Sequence, residues 1–162
     1  MGMLCVRTRG RKLKVYVETS VISAYHRATA SISRNTRLFF KKVKAEKLEL
    51  FTSVVTLEEL DRTPSKVKRQ LLALVDEYGM KILARTDSAI NLARIYVERG
   101  MIPGKFKPDA EHIAIASVNS IDVIVSWNLE HIVKLKTKLM VKQINKEQGY
   151  AVPDIVRPDE VL

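Results

Sequence analysis

The sequence predicts an α/β fold, a single three-layer α/β/α sandwich with a central, mostly parallel sheet. Three observations predict it. Short β-branched runs alternate with helical apolar patterns from residue 13 onward, the signature of strands joined by helices. The 162 residues, 46% hydrophobic, suffice for one sizeable core and fall short of two ordinary domains. No repeat, low-complexity tract or interior linker divides them.

The elements follow in order. Residues 1–12 read as a basic N-terminal arm, with Arg7, Arg9, Arg11 and Lys12 ahead of a domain over 13–162. Val15-Tyr16-Val17, β-branched and aromatic, predicts the first strand, and Glu18 stands at its carboxyl end. Thr19 and Ser20 are N-cap residue types, so a helix is expected over 19–25. A second helix is expected over 34–47, with Leu38, Phe39, Val43 and Leu48 as its apolar stripe. Residues 48–52 read as the second strand. A helix carrying Glu58 and Glu59 follows, and Pro64-Ser65 breaks it and starts another through Val75.

Residues 81–84 predict a weaker strand. The pattern over 87–99 predicts a helix with Ile90, Ala93 and Val97 inward and Gly100 as its stop. Residues 101–108 read as a loop holding two prolines, and 109–119 as an apolar, buried helix. The run 122–126 is the clearest buried strand. A short helix over 129–134 is expected next. The tail reads as an extended run over 141–144, followed by Pro153 and Pro158.

Composition narrows the function. The formal net charge is +10, from 28 basic against 18 acidic residues, which favours phosphate-rich partners. Cys5 is the single cysteine, so an intramolecular disulfide and a cysteine-based zinc site are both excluded. This fits a reducing cytosol, and a cytoplasmic location is expected. No apolar stretch approaches the roughly twenty residues of a membrane span. The basic N-terminus lacks the apolar region of a signal peptide.

Against this basic background, acids recur where strands end or helices begin: Glu18, Glu58 and Glu59, and Asp109 in Pro108-Asp109-Ala110-Glu111-His112. The crevice beyond the carboxyl ends of parallel strands is where such sheets bind ligands. Carboxylates gathered there repel one another unless a cation is present. Hard oxygen donors select Mg²⁺ or Mn²⁺, and such an ion lowers the pKa of water and neutralises phosphate charge. Each acid also has a plainer reading. Glu18 can serve as a helix cap, Asp109 as an N-cap, and acids in a first helical turn favour the macrodipole. Glu58 and Glu59 diverge by about 100° on a helix, so one of them faces a pocket easily. His112 follows Asp109 by three residues on one helix face and reads as a phosphate contact or a hydrogen-bonded structural histidine. His131 can close the final loop over the site, and Trp127 reads as packing.

Four segments resemble PIN domains in that family's order. They are Val15-Tyr16-Val17-Glu18-Thr19-Ser20, Thr56-Leu57-Glu58-Glu59-Leu60, Pro108-Asp109-Ala110-Glu111-His112-Ile113 and Ile124-Val125-Ser126-Trp127-Asn128-Leu129-Glu130. The last is similar to a subgroup carrying Ser-Trp-Asn, as is the ending from Ile144-Asn145 to Arg157-Pro158-Asp159-Glu160-Val161. The resemblance covers residues 13–162. It implies a PIN-like nuclease domain and a metal-dependent endoribonuclease, similar to the VapC toxins of toxin–antitoxin pairs. It carries Glu18, Glu59 and Asp109 over as metal-site and catalytic acids, with Mg²⁺ or Mn²⁺ as cofactor.

Two departures stand out. Glu18 replaces a usual aspartate. Asn128 occupies the place of a fourth acid, where its amide oxygen positions water or the ion without adding charge. Glu130 or Asp122 is left to supply the missing charge. The expected partners are RNA, an antitoxin protein and a second copy of the chain. Asn128 also sustains an alternative, a catalytically weak or inactive PIN-like module that binds RNA or protein. The basic runs at 7–14, 34–47, 62–69 and 134–146 are expected to supply sequence-independent phosphate affinity.

Overall fold

Five strands, β1 (Lys14–Val17), β2 (Glu49–Ser53), β3 (Lys81–Leu83), β4 (Val123–Val125) and β5 (Asp154–Val156), form one sheet in the order β3-β2-β1-β4-β5. Every neighbouring pair is parallel, with Tyr16 of β1 opposite Phe51 on one side and Ile124 on the other. The computed structural model describes residues 10–27 and 29–161. Most of the expected basic arm, with Cys5, Arg7 and Arg9, lies outside the described residues.

Parallel strands need crossovers, and among the described residues seven helices provide them: α1 (Thr19–Arg27), α2 (Ala30–Glu46), α3 (Val54–Leu60), α4 (Ser65–Glu77), α5 (Asp87–Glu98), α6 (Lys107–Val118) and α7 (Leu135–Gln148). Alternation along β1 sorts them into two layers. Val15 and Val17 face a core built from Ile22 of α1, Phe39 and Phe40 of α2, and Leu71 and Leu74 of α4. Tyr16, between them, faces Leu92 of α5, Ile113 of α6 and Ile144 of α7. Each fully buried side chain of this size contributes about 1.5–3 kcal/mol of burial free energy. The three-layer expectation holds, and the sheet is parallel throughout.

Several expected elements shift. Residues 141–144 are helical, in the middle of α7. Thr137, Val141, Ile144 and Asn145 form one buried stripe, and that period outweighs the local β-branched character. The tail strand is β5 instead, seated at the sheet edge where the flanking Pro153 and Pro158 cost no ladder bond. Residues 129–134 form a turn: the Ile132 and Val133 amides both donate to the Asn128 carbonyl (3.2 and 2.8 Å). In α2, Leu38 points outward and Phe40 joins Phe39 and Val43 in the core. In α5, Ile90 is exposed and Ala89, Leu92, Ala93 and Tyr96 face inward. A 3₁₀ turn at Gly104–Phe106 leads into α6, so Asp109 is the third residue of the helix and Phe106 is its N-cap.

Asp122 precedes β4 at the amino ends of the strands. Its carboxylate accepts two bonds from Arg11 (2.8 and 2.6 Å) and the Lys14 amide (2.9 Å). That removes Asp122 as a source of charge for the acidic crevice, which lies at the other end of the sheet. Among the described residues, no helix is long and apolar enough to cross a membrane.

Candidate functional site

The carboxyl end of β1 delivers Glu18 directly. Its amide continues the β1–β4 ladder by donating to the Val125 carbonyl (3.1 Å), which fixes the backbone before α1 begins. Glu18 is 4% exposed. Its Oε2 accepts from the hydroxyls of Ser126 (2.7 Å) and Ser20, and its Oε1 lies 3.8 Å from His112 Nε2. Ser126 is the first residue past β4 and Ser20 lies in the first turn of α1, so two strand ends converge on one carboxylate.

β2 and α3 deliver Glu59. Ser53 caps α3 by accepting the Val55 amide on its side chain, and the helix then turns Glu59 toward β1. Glu59 Oε1 lies 3.0 Å from the Thr19 hydroxyl and 2.5 Å from His112 Nε2. Burial acts to raise the Glu59 carboxyl. The bonds from His112 and Thr19 and the nearby Arg62 outweigh it and hold the group below the usual carboxylate range. Glu58 points elsewhere, into a paired contact with Arg85 (2.9 and 2.6 Å). The same guanidinium bonds the buried Glu111, tying α3 to α6 through the loop after β3.

His112 sits at the centre, fully buried. Its Nδ1 lies 2.6 Å from Tyr16 Oη, which is also 2.7 Å from Ser53 Oγ. Burial acts to lower the imidazole pKa, but the bond to Glu59 and the charges of Glu18, Glu59 and Asp109 raise it overall. In the charged form both ring N–H groups donate, one to Tyr16 and one to Glu59. Burial pushes the Tyr16 hydroxyl far above its ordinary range, so it stays protonated and passes a bond on to Ser53.

Asp109 enters from the first turn of α6. Its Oδ2 lies 2.9 Å from His131 Nδ1. Burial raises the Asp109 carboxyl above its ordinary value, with His112, His131 and Asn128 opposing. Asn128 Oδ1 in turn accepts the His131 amide (3.0 Å), so one side chain shapes the turn that carries the histidine.

The candidate residues therefore separate. Glu18, Glu59 and His112 each offer a ligand atom, and these atoms lie within 4.8 Å of one another. Asp109 and Asn128 form a second group joined to the first electrostatically through His112. Glu130 stands apart from that trio: its side chain is 82% exposed, and it approaches His131 Nε2 at 3.7 Å. His112 was legible as a face-mate of Asp109, whereas Thr19, Ser20 and Ser126 stood in the segments that resemble PIN domains with no role at the acids assigned to them, and Tyr16 read only as a strand residue. The donor set fits a divalent cation. Two carboxylates supply hard oxygens, and the His112 nitrogen, once its proton is displaced by the ion, suits Mn²⁺ better than Mg²⁺.

The basic runs lie in different places. Arg62 stands near Glu59. Lys42 of α2 lines a cavity of about 290 Å³ with Leu13, Leu48 and Asp122, at the amino ends of the strands and lined by none of Glu18, Glu59 and Asp109. Lys134 and Lys136 share a cavity wall with His131.

The chain matches no protein-family model and no curated protein. Among solved structures it is similar to VapBC2 from Rickettsia felis bound to a DNA fragment from their promoter, with a TM-score of 0.55 and 13% identity over 90% of this chain and 98% of that one. It is also similar to VapBC-5 from Mycobacterium tuberculosis, a member of the VapBC family of toxin–antitoxin systems, with a TM-score of 0.50 and 17% identity over 89% and 98% of the two chains. At such identities the likeness is one of fold, and the fold is the PIN-like α/β/α arrangement.

Proposed function

We propose that this chain is a metal-dependent endoribonuclease of the PIN type, acting as the toxin of a toxin–antitoxin pair. The observation that carries the reading is the convergence of Glu18, Glu59 and His112, with ligand atoms within 4.8 Å, beyond the carboxyl ends of parallel strands on a protein of net charge +10. Glu18 and Glu59 hold Mg²⁺ or Mn²⁺ with His112 beside them, and Asp109 lies at the margin with Asn128. When bound, the cation supplies Lewis-acid activation of water and neutralises charge on the phosphodiester. The chain's own residues prepare the site. Ser20 and Ser126 orient Glu18, Thr19 and His112 orient Glu59, and His131, on the turn shaped by Asn128, orients Asp109. RNA is the substrate, and an antitoxin and a second copy of the chain are the protein partners, on the analogy of the VapBC structures.

The test is cleavage of a panel of single-stranded RNAs by the purified chain with Mn²⁺, Mg²⁺ or EDTA. Cleavage that needs the ion and disappears in Asp109→Asn supports the reading. No cleavage under any of these conditions overturns it.

Asn128 favours a second reading, a PIN-like module that binds without cutting, because an amide there brings no fourth charge. A Mn²⁺ titration separates the two. Thermal stabilisation without turnover, or no stabilisation at all, supports the binding module.

A further inference from the structure

A cavity of about 440 Å³ opens at His131, between the loop joining α5 to α6 and the segment leading into α7. Val97, Met101, Ile102 and Pro103 make its apolar floor, and His131 and Lys134 stand on its rim. Lys136 reaches across and donates to the Gly100 carbonyl (3.0 Å), tying the two walls together. His131 belongs to both places. Its Nδ1 is 2.9 Å from Asp109, and its ring packs on Phe106 with centroids 4.0 Å apart. One imidazole ring thus joins Asp109 to the cavity rim.

The lining selects a chemistry. An exposed ammonium at one side calls for an anion, and an apolar floor in which Pro103 is exposed over the buried Met101 and Ile102 calls for a flat, weakly polar body. A nucleotide joins those two features in one molecule, and the volume suits a single one. The Glu130 carboxylate, 3.7 Å from His131 Nε2, repels an anion from its own side of the rim and directs it toward Lys134.

We propose that this cavity seats one nucleotide of the RNA strand next to the phosphate presented to the acids, with its base on the Met101–Pro103 floor and its phosphate on Lys134. The inference rests on the ribonuclease reading above. It adds a fixed register of the strand against Asp109, and a base preference at one position, to the sequence-independent affinity of the lysines.

The experiment uses the whole chain in EDTA, so that binding is read without turnover. Each of the four 5′-nucleoside monophosphates is titrated into ¹⁵N-labelled protein. The expected result is amide shifts clustered at Gly100, Ile102, His131, Lys134 and Thr137, larger for some bases than others. In parallel, a short fluorescein-labelled single-stranded RNA is bound to wild type, Lys134→Ala, Lys134→Glu and Glu130→Gln. Lys134→Ala should lose about three- to tenfold in affinity with a flatter salt dependence, Lys134→Glu more, and Glu130→Gln should gain. If wild type binds the RNA but Lys134→Glu binds equally well, or the nucleotides leave these amides unmoved, the nucleotide site is overturned and the ribonuclease reading stands. If wild type itself binds no RNA, both fall.

Discussion

Glu59 Oε1 lies 2.5 Å from His112 Nε2, and the imidazole that makes this bond is fully buried. Its other nitrogen is closed by Tyr16 at 2.6 Å, so the ring spans β1, α3 and α6. Deleting it leaves a hydroxyl and a carboxylate facing an empty space. His112→Ala should therefore cost about 2–4 kcal/mol, read as a lower urea midpoint. Tyr16→Phe, which removes the buried bonds to His112 and Ser53 and keeps the ring, should cost about 1–3 kcal/mol. An unchanged midpoint in His112→Ala would mean that the ring adds nothing to stability.

The same pair sets a pH dependence for the metal-free protein. His112 is raised above its ordinary 6.5, so its contribution is full below that value and is lost as pH rises through the folded value. Glu59 is lowered below its ordinary 4.5, so its contribution is full above that value and is lost as pH falls through the folded value. The pair therefore supports the fold best between those two ordinary values. Asp109 is raised above its ordinary 3.8 mainly by burial, so its contribution is full below that value and is lost as pH rises through its own folded value, with no further decline beyond it. Urea midpoints across pH in EDTA should fall as pH rises past neutrality, and His112→Ala should flatten that fall.

Arg85 is the other charge on which the acids depend. Its side chain is 28% exposed, and that of its partner Glu111 is only 8% exposed. Arg85→Met leaves the buried Glu111 carboxylate with only the exposed Lys107 at 3.9 Å and should cost about 2 kcal/mol, while the exposed Glu58 arm contributes little. The double variant Arg85→Met with Glu111→Met should recover most of that loss. If the two losses simply add, the pair is not coupled.

The alternation that defines the fold was legible because β-branched runs and helical stripes differ in period, and Glu18 was legible because it directly follows one such run. Glu59 over Glu58 followed from the divergence of adjacent helical side chains together with the family resemblance. What stayed hidden was long-range. Arg85 claims Glu58 from 27 residues away, and Arg11 claims Asp122 from 111 away. No local pattern records such pairings. The hydroxyls of Ser20, Ser126 and Thr19 look like ordinary capping residues until the strand ends bring them to the acids. Residues 141–144 misled because four residues are too few to tell a period of two from a helical one.

Asp109→Asn should separate cutting from binding. The carboxyl is partly desolvated, so a neutral amide of the same shape suits the position and the fold should persist. Cleavage should fall by about 100-fold or more, because a charge at the metal margin is lost. RNA affinity in EDTA should hold or rise, since a negative charge facing phosphate has gone. Parallel cleavage and anisotropy measurements check this, and an equal loss of both would assign Asp109 to RNA binding.

The Ser126 and Ser20 hydroxyls both converge on Glu18 Oε2, and the 3.8 Å approach of His112 to Oε1 leaves that second oxygen free to serve as a ligand. The serines fix the carboxylate by bonding the oxygen that does not face the imidazole. Removing one loosens Glu18 without removing it. Ser126→Ala should lower Mn²⁺ affinity by about 10–100-fold, the usual cost of losing a group that orients a ligand. The loss should appear as a smaller thermal shift at a fixed Mn²⁺ concentration. Ser126 also accepts the Asn128 amide (2.9 Å), so its loss should loosen the turn that carries Asn128 and His131. Ser20→Ala has a different second effect, because Ser20 accepts the Trp127 amide (2.9 Å). The double variant should therefore lose more than either single one. If Mn²⁺ stabilises the double variant as strongly as wild type, Glu18 is not held by these hydroxyls, or the ion binds elsewhere. Glu18→Gln then decides between those two, since it abolishes the shift only in the first case.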